Sequence, residues 1–302
     1  MTMPDPVLPR YPVYIPSKGR SATAYTAQCL TAGDVPFFLV IEPQELAEYA
    51  KVFGRDRCLV LPFHDQGSSV PARNWIKDHS IAAGYERHWQ LDDNMRYFFR
   101  RYRGKRLYCD PGLALRVCED FTDRYVNIAI AGLNYSAFVP DHRKRIPVQV
   151  NCHVYSCTLI NNAIPFRWRG RYNEDTDICL QALAGGWCTV LLNTFVVQKI
   201  QTMKVKGGNT ETLYQGDGRL RMARSLERMW PGVVSTRRRF QRPQHVVKDD
   251  WRYFDTPLKL KPGIDLAALP PIEEYGMQLS QVSETIHSAR LKRLYEKWQQ
   301  QH

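Results

Sequence analysis

The stretch WQLDDNMRYF, residues 89–98, places two adjacent carboxylates directly after an apolar, strand-like segment. Asp92 and Asp93 repel each other unless a positive group lies between them, and a metal ion is the usual one. Mg²⁺ and Mn²⁺ take oxygen ligands and commonly bind through one or two carboxylates together with substrate phosphates. The pair therefore indicates a site for a divalent cation and a phosphate-bearing ligand, although a solvated Asp-Asp-Asn turn has the same residues.

A second acidic motif begins a predicted helix at 173–186. Asn173 is expected to cap this helix, and Glu174, Asp175 and Asp177 lie in its first turn. Complementarity with the helix dipole, worth roughly 0.3–1 kcal/mol, explains acids at this position. It does not explain three of them within five residues, which repel one another. A carboxylate at a helix start that faces a crevice can act as a general base toward an acceptor hydroxyl.

The first ninety residues alternate between strand-like and helix-like segments. Strands are predicted at 11–16, 36–41, 58–62 and 87–91, and helices at 21–32, 43–53 and 70–83. Short connections between such segments produce right-handed βαβ units and a parallel sheet. Ligands bind at the carboxyl ends of the strands in these sheets. The segments 16–20, 64–69 and 92–94 should therefore face one crevice.

The pattern becomes mixed after residue 110. A helix is predicted at 111–131, strands at 135–140, 148–160 and 189–200, and a glycine-rich polar loop at 204–218. The β-branched residues of 148–160 favour antiparallel pairing. Prolines punctuate the chain from residue 251, and an amphipathic helix is predicted at 278–300. The predicted organisation is an α/β domain over 1–250 and a C-terminal coil and helix extension over 251–302.

The charge of the chain favours a polyanionic partner. It has 42 Lys and Arg against 30 Asp and Glu, a net charge of +12, and an isoelectric point of about 9.4. The segment 96–106, RYFFRRYRGKR, holds six basic side chains and no acidic one, and further basic clusters lie at 142–145, 219–224 and 237–240. Cations interleaved with aromatic rings are typical of nucleic-acid surfaces, although a basic solvated surface is common in many proteins.

Several other classes of protein are disfavoured. None of the eight cysteines forms a C-x-x-C pair, which favours reduced, buried thiols over disulfides or zinc ligands. The longest apolar runs are too short to cross a bilayer, so no membrane partner is expected. The N-terminus lacks a secretory signal, so a cytoplasmic location is expected. No local signature of a Ser/His/Asp or Cys/His nucleophile is present.

The order of several motifs resembles that of the TET-associated glycosyltransferases. The matching segments are YIPSKGR (14–20), VPARNW (70–75), WQLDDNMRYF (89–98), GRYNEDTDICLQALAGGW (170–187) and KVKGGNTETLY (204–214). This group occurs mainly in phages and glycosylates 5-hydroxymethylcytosine that a TET-type oxygenase has made in DNA. The resemblance covers about residues 11–250. It implies a GT-A glycosyltransferase fold, with a Rossmann-like parallel βα half at 11–95 that binds the nucleotide sugar and a mixed acceptor half at 96–250.

The resemblance also implies roles for single residues. Asp175 would be the catalytic base. The donor would be bound by Ser17, Lys18, Arg20, Arg73, Asn74 and Asp92, with Asp92 holding the ribose or a metal-bound water. The metal, Mn²⁺ or Mg²⁺, would be held by Asp93, Asn94 and His245. The acceptor DNA would be contacted by Trp168, Arg169, Tyr172, Glu174 and Lys206. The chain reads D-D-N where the simplest family pattern is D-x-D, which leaves open which oxygens touch the metal.

The implied reaction is a single displacement. The metal ion would neutralise a diphosphate leaving group, and the expected donor is a UDP-sugar. Asp175 would take the proton of the attacking hydroxymethyl group, and one base without an enzyme nucleophile favours inversion. A target base must be single-stranded or flipped out of the duplex to reach a crevice.

Two alternatives remain open. A GT-A transferase could act instead on a glycan, lipid or protein acceptor, although such acceptors do not require the net charge of +12. A non-catalytic nucleic-acid-binding protein is the third candidate. The paired acids at strand and helix ends disfavour it, because without a metal ion they would repel phosphate. The sequence leaves the sugar, the DNA context and the oligomeric state open.

Overall fold

The structure is a computed structural model that describes residues 7–64, 67–142, 145–200, 218–239 and 241–269. The chain divides into two units, Met1–Lys261 and Pro262–His302. The predicted helix at 278–300 lies outside the described residues, as do Lys206 and nearly all of the predicted loop at 204–218.

The described residues form six α-helices and twelve β-strands. The helices are α1 Tyr25–Ala32, α2 Leu46–Phe53, α3 Val70–Ala82, α4 Pro111–Thr122, α5 Glu174–Ala184 and α6 Gly218–Met229. The strands are β1 Val13–Pro16, β2 Phe38–Ile41, β3 Cys58–Val60, β4 Arg87–Leu91, β5 Met95–Tyr102, β6 Lys105–Tyr108, β7 Ile128–Tyr135, β8 Val148–Val150, β9 Cys157–Asn161, β10 Cys188–Lys199, β11 Val234–Arg239 and β12 Arg242–Val247.

Ten of these strands form one mixed sheet. Its order is β3-β2-β1-β4-β9-β7-β10-β5-β6, and β8 pairs with β10. The first four strands in this order run parallel, as the alternation of strands and helices predicts. β9 is antiparallel to both β4 and β7, and β10 is parallel to β7 but antiparallel to β5 and β8. The predicted combination of a parallel βα half and a mixed half is confirmed.

The helix predicted at 111–131 is wrong over its second half. α4 ends at Thr122, and β7 begins at Ile128. β7 lies between β9 and β10, and seven of its eight residues are buried. A strand covered on both faces reads as a continuous apolar run, which local patterns do not distinguish from a buried helix.

The single strand predicted at 148–160 is two strands, β8 and β9. Asn151 and Ser156 have φ of 54° and 60°, a left-handed conformation that an extended strand does not contain. The two strands pair antiparallel with different neighbours, β8 with β10 and β9 with β4 and β7. The strand predicted at 135–140 is also wrong, because β7 ends at Tyr135 and Ser136–Phe138 form a 3₁₀ turn.

Two apolar clusters fix the helices that carry the site. Ile76 of α3 packs with Tyr14 of β1 and Val40 of β2. Ile178 of α5 packs with Trp168 and its neighbours on the other half of the sheet. Burying such a side chain contributes roughly 1.5–3 kcal/mol, so the first turns of α3 and α5 are held at one edge of the sheet.

The remaining expectations concern cysteines and membranes. Five cysteines are buried, namely Cys58, Cys118, Cys157, Cys179 and Cys188. Burial raises the pKa of the half-buried Cys109 to about 12, so this thiol stays protonated at neutral pH. Among the described helices, none combines the length and the apolar composition that a bilayer span requires.

Candidate active site

The turn Asp92–Asn94 follows β4, and its backbone is held by two neighbouring elements. The Asp92 N–H donates to the Ser156 carbonyl at 2.8 Å. The Thr26 hydroxyl donates to the Asp92 carbonyl, and the Thr26 N–H donates to the Asp93 carbonyl at 3.1 Å. The start of α1 and the start of β9 therefore determine where the two carboxylates lie.

Asp93 is buried beside the carboxyl end of β1. Its carboxylate accepts a hydrogen bond from Ser17 Oγ at 2.7 Å and pairs with Arg20 Nη1 at 2.6 Å. The Tyr49 hydroxyl lies 2.7 Å from Ser17 Oγ and accepts from the Arg20 N–H at 3.0 Å. Burial raises the pKa of Asp93, and Arg20 and Ser17 oppose that rise. Two residues predicted for the nucleotide pocket thus meet the acidic turn directly.

Asp92 points the opposite way, into a group of cations. Its carboxylate pairs with Arg73 Nη2 at 2.9 Å and Lys199 Nζ at 2.7 Å, and accepts from Ser156 Oγ at 2.7 Å. Burial alone would raise the pKa of Asp92, but Lys199 and Arg73 hold it well below its ordinary value. Lys199 Nζ also lies 5.6 Å from the centre of the Tyr135 ring. Asp92 is therefore a fixed anion at neutral pH.

Arg73 connects the two acidic motifs. Its Nη2 contacts Asp92, and its Nε lies 3.5 Å from Glu174 Oε1 at the start of α5. Ser69 Oγ donates to the same Glu174 oxygen at 2.8 Å. The segments after β1, after β4 and before α3 therefore meet the start of α5. We refer to this group of side chains as the crevice, because it lies at the carboxyl ends of the parallel strands, where such a sheet binds its ligand.

Asp175 lies next to Glu174 and carries the features of a base. Its side chain is 37% exposed, and His153 Nε2 lies 3.3 Å from its Oδ2. Its Oδ1 accepts from the Thr176 N–H at 2.7 Å. Burial would raise the pKa of Asp175, but the nearby His153 lowers it below the ordinary value. The His153 ring is stacked on Trp251, with centroids 5.5 Å apart and an angle of 8°, so the imidazole is held in place.

The start of α5 differs from the prediction in one respect. Asn173 is the N-cap residue, as predicted, and its carbonyl accepts from the Asp177 N–H at 2.9 Å. With φ of 53°, however, its side chain makes no capping hydrogen bond and donates instead to the Met222 carbonyl at 2.8 Å. That bond ties α5 to α6, which is distant in sequence, and a local capping rule does not include such a partner. Asn173 therefore links two helices near the site.

Three other predicted residues have structural partners. Lys18 pairs with Glu42 at 2.8 Å. Asn74 binds the backbone of Trp168 at both ends of its amide, at 2.8 and 3.1 Å. Trp168 is 4% exposed and belongs to the apolar core. Its burial speaks against base stacking, and Asn74 braces the Trp168 segment from α3.

Two of the remaining residues predicted to contact the acceptor DNA, Arg169 and Tyr172, lie in the segment that precedes α5. Arg169 pairs with the buried Asp177 at 3.0 Å, and its guanidinium lies 5.6 Å from the Trp230 ring centre. Tyr172 is half-buried, with the Arg171 guanidinium 5.8 Å from its ring centre. Glu174 lies in the crevice, in contact with Arg73 and Ser69. Lys206 lies outside the described residues.

The structure adds residues to the crevice that the sequence reasoning missed. Lys199 and Ser156 bind Asp92, and His153 pairs with Asp175. Lys199 ends the long, buried strand β10, and a lysine at the end of such a strand is a signal that could have found it. His153 lies in the irregular segment between β8 and β9, where no local pattern points to its partner.

The side-chain oxygens of Asp93 and Asn94 suit a metal ion that would also bind the phosphates of a substrate. In the part of the chain that the structure describes, no three His, Cys, Asp or Glu side chains are grouped to hold a metal ion. Asn94 Oδ1 is buried and, within the same part, has no hydrogen-bond partner. Each Asp93 oxygen keeps a second lone pair beside its bond to Ser17 or Arg20. Mg²⁺ commonly binds one or two protein oxygens plus phosphates and water, so the residues present fit such an ion.

His245, the third predicted metal ligand, lies elsewhere in the crevice. Its Nε2 is 3.4 Å from Thr176 Oγ1, at the start of α5. Burial and the neighbouring His153 lower the pKa of His245, and Asp175 opposes this. The structure therefore brings His245 to the surroundings of Asp175.

A parallel βα half with an acidic turn at its ligand edge, joined to a mixed half that presents a carboxylate at a helix start, is the arrangement of the GT-A class of glycosyltransferases, as the sequence predicts. The sequence profile of one family in this class matches residues 11–208. The chain belongs to the TET-associated glycosyltransferase family, and the protein is a glycosyltransferase.

Solved structures give more distant similarities. One is the inositol-1-phosphate CTP transferase from T. maritima, with a TM-score of 0.40 and 10% identity over 64% of this chain and 89% of that chain. Another is the glycosyltransferase GlyE of Streptococcus pneumoniae TIGR4, with a TM-score of 0.27 and 12% identity over 59% of this chain and 38% of that chain. No curated protein matches the chain in sequence.

Proposed function

We propose that the protein transfers a sugar from a UDP-sugar to the hydroxymethyl group of 5-hydroxymethylcytosine in DNA. The observation that carries the proposal is the pair of contacts from Arg73 to Asp92, at 2.9 Å, and to Glu174, at 3.5 Å. They bring the acidic turn at the donor edge beside the helix start that bears Asp175. Group transfer requires a site for the leaving group on one side of the reacting carbon and a base within reach of the hydroxyl that attacks this carbon.

The donor occupies the crevice beside β1 and β4. Ser17 and Arg20 line the nucleotide side, and Arg20 offers a guanidinium to the diphosphate, for which its geometry is suited. Asp92, held by Arg73 and Lys199, would accept hydrogen bonds from the ribose or from water in the shell of the metal ion. Each of these groups is fixed by its partners before the donor binds, which reduces the entropy lost on binding.

Asp93 and Asn94 would hold Mn²⁺ or Mg²⁺, which when bound supplies positive charge opposite the leaving diphosphate. Treatment with a chelator is expected to abolish transfer, and added Mn²⁺ or Mg²⁺ to restore it. Calorimetric titration of UDP with and without the metal measures the same site without turnover. Equal UDP affinity and equal transfer rates in chelated protein would remove the metal from the proposal.

Asp175 acts as the general base. It accepts the proton of the hydroxymethyl group while that oxygen forms a bond to the anomeric carbon of the sugar. The bond from this carbon to the diphosphate oxygen breaks, and the nucleoside diphosphate leaves with the electron pair. His153, 3.3 Å from the carboxylate, orients Asp175 and favours its ionised form. One displacement of this kind inverts the anomeric configuration.

The DNA acceptor is supported by the family membership and by the charge of the chain. The net charge of +12 attracts a polyanion, whereas an uncharged glycan or lipid does not require it. The site lies in a crevice, so the target cytosine must be single-stranded or flipped out of the duplex, at a cost of a few kcal/mol.

A direct assay tests the acceptor. The protein is incubated with a UDP-sugar and with three acceptors, namely DNA carrying 5-hydroxymethylcytosine, the same DNA with unmodified cytosine, and free saccharides. The DNA is then digested to nucleosides, which are analysed by mass spectrometry. A hexose adduct only on 5-hydroxymethylcytosine is the expected result, and its anomeric configuration reports inversion. Sugar transfer that is detected only on the free saccharides would reject the DNA acceptor and favour a glycan-directed transferase.

A further inference from the structure

The hairpin β5–β6, residues 95–108, forms an exposed edge of the sheet, and we name it the Arg/Tyr hairpin. β6 is the last strand in the sheet order, and all four of its residues are exposed. Three tyrosines of the hairpin are also exposed: Tyr97 by 36%, Tyr102 by 47% and Tyr108 by 73%. The hairpin contains six Lys and Arg residues and no Asp or Glu.

Cations and rings of the hairpin lie against each other. The Arg103 guanidinium is 5.2 Å from the centre of the Tyr102 ring, and that of Arg96 is 5.5 Å from the centre of the Tyr97 ring. Tyr97 and Tyr108 contact edge to face at 5.3 Å. These contacts order long side chains in advance, so a ligand that needs both a cation and a ring meets them already placed.

Two cations of the hairpin contact the segment that follows the 3₁₀ turn at Ser136–Phe138. Arg106 pairs with Asp141 at 2.8 Å, and Arg101 donates to the carbonyl of Pro140 at 3.3 Å. Arg96, Arg103 and Lys105 are exposed. Charged side chains also protect an edge strand from pairing with other chains. That explanation covers the basic residues of the hairpin but not its three exposed tyrosines.

The Arg/Tyr hairpin begins at the active site. Its first residue, Met95, directly follows Asn94, and it pairs with Lys199, which binds Asp92. A strand rises about 3.4 Å per residue, so the far end of β5 is roughly 25 Å from the acidic turn. This length corresponds to roughly seven base steps of DNA at 3.4 Å per step.

A second series of side-chain contacts connects the Arg/Tyr hairpin with Asp175, the proposed general base. Phe99 packs against Val139, which follows the exposed Phe138. The Phe138 ring contacts that of Tyr155 at 6.2 Å, and Tyr155 contacts His153 at 4.9 Å. A chain of side-chain contacts, buried at Phe99 and Val139 and exposed at Phe138, therefore leads from the Arg/Tyr hairpin to the histidine that pairs with Asp175.

The geometry points to the Arg/Tyr hairpin as the surface that binds the DNA next to the target base, contacting phosphates with its cations and exposed bases or sugars with its tyrosines. This inference rests on the proposed function and specifies how its acceptor is held. Arg20, Arg73 and Lys199 in the crevice are paired with its acids, whereas the exposed cations of the hairpin face outward and attract the DNA backbone. The backbone is thus held outside the crevice while a flipped base enters it.

A matched pair of variants tests the inference in the full chain. The first is Arg96→Gln, Arg103→Gln, Lys105→Gln in the Arg/Tyr hairpin. The second removes the same charge from the separate hairpin β11–β12, as Arg237→Gln, Arg238→Gln, Arg242→Gln, at residues that are also exposed. Circular dichroism checks that both fold, and binding to an unmodified 20-base-pair duplex is measured at several salt concentrations.

The hairpin variant should bind DNA at least tenfold more weakly at low salt, with the slope of log affinity against log salt reduced by about 2.7 for three lost phosphate contacts. The β11–β12 variant should stay within twofold of the wild type. In transfer assays, KM for DNA should rise in the hairpin variant while kcat at saturating DNA stays unchanged. Equal losses in the two variants, or none in the first, would overturn the inference.

A series of DNA lengths gives an independent readout. For the wild type, KM should fall as the duplex beside the target grows to roughly seven base pairs and then level off, whereas the hairpin variant should show little dependence on length. A wild type that binds DNA through the hairpin but transfers no sugar to 5-hydroxymethylcytosine would contradict the proposed function alone. The two failures are therefore distinguishable.

Discussion

Asp175 combines three conditions that a general base requires. It lies at a helix start that faces the crevice, its side chain is 37% exposed, and His153 keeps it ionised. The Thr176 N–H and His153 Nε2 occupy one side of each carboxylate oxygen. Lone pairs remain for the proton of the acceptor, so the proton can be taken without breaking these contacts.

Asp175→Asn is expected to lower kcat by about 10²–10⁴-fold, the usual contribution of general base catalysis. The amide is nearly isosteric but does not accept a proton at neutral pH, so UDP and DNA should still bind. Steady-state transfer and separate binding titrations measure the two effects. The control is Asp78→Asn, an exposed acid paired with Arg167 on the surface, which should leave kcat unchanged. A variant at Asp175 with more than half of the wild-type kcat would contradict the assignment.

His153→Gln is expected to move the acid limb of the kcat/KM pH profile to higher pH. The carboxylate must be deprotonated to act, and His153 lowers its pKa against the effect of burial. Without the imidazole, the pKa of Asp175 is higher than in the wild type, so activity is lost first at low pH and least above neutrality. A pH profile from 4 to 9 measures the shift.

His245→Gln is the control for the His153 variant. His245 contacts Thr176 instead of the carboxylate of Asp175, so its replacement should move the acid limb less. Superimposable profiles for wild type and His153→Gln would show that the histidine does not act through Asp175. Because Asp175 and His153 interact, the acid limb of the pH profile reports the titration of this pair and not of either residue alone.

At the scale of elements, Asp177 connects α5 with the chain that follows α6. It is fully buried and accepts hydrogen bonds from Trp230 Nε1 at 2.7 Å, from Gln181 Nε2 at 2.7 Å and from Arg169 Nε at 3.0 Å. These donors come from three segments, so one carboxylate fixes the position of the helix that carries Asp175. Its position next to the site is structural, because its oxygens are already engaged.

Asp177→Ala is expected to lower the free energy of unfolding by about 1–3 kcal/mol, because it leaves the Trp230 N–H and other donors without an acceptor. Asp177→Asn retains one acceptor oxygen and should lose less. Urea unfolding of the two variants measures the difference. Equal stability of the alanine variant and the wild type would show that α5 is held by its apolar contacts alone.

For the whole molecule, the acids of the crevice are largely balanced by Arg20, Arg73 and Lys199, and the excess of positive charge lies outside the crevice. The crevice holds Asp92, Asp93, Glu174 and Asp175, while the chain as a whole carries +12. A polyanion is attracted to the outer surface, and only a small, uncharged part of it is suited to enter the crevice.

DNA affinity is therefore expected to fall at least tenfold between 50 and 200 mM salt, because counterion release dominates binding through phosphates. UDP affinity should change much less, because the donor is held in a buried crevice where salt screens weakly. Fluorescence anisotropy for DNA and calorimetry for UDP measure the two dependences. Salt-independent DNA binding would contradict a role for the net charge in acceptor capture.

The sequence by itself determined the parallel half, the acidic turn at the end of β4, the acids at the start of α5 and the net charge. These are local properties: apolar periodicity, turn residues and composition act within a few positions of the chain. Local patterns failed where burial or a distant partner decided, as in β7, which is covered on both faces, and Asn173, which binds Met222.

Only the tertiary structure decided which cation meets which acid. Lys199 is 107 positions from Asp92, and Asp93 is 73 positions from Arg20. Such pairs form because β1 and β9 flank β4 in the sheet and because β10 pairs with β5, whose first residue follows the acidic turn. That order arises from the packing of the whole sheet. The same packing brings His153 to Asp175, and the spacing of these residues along the sequence does not predict that contact.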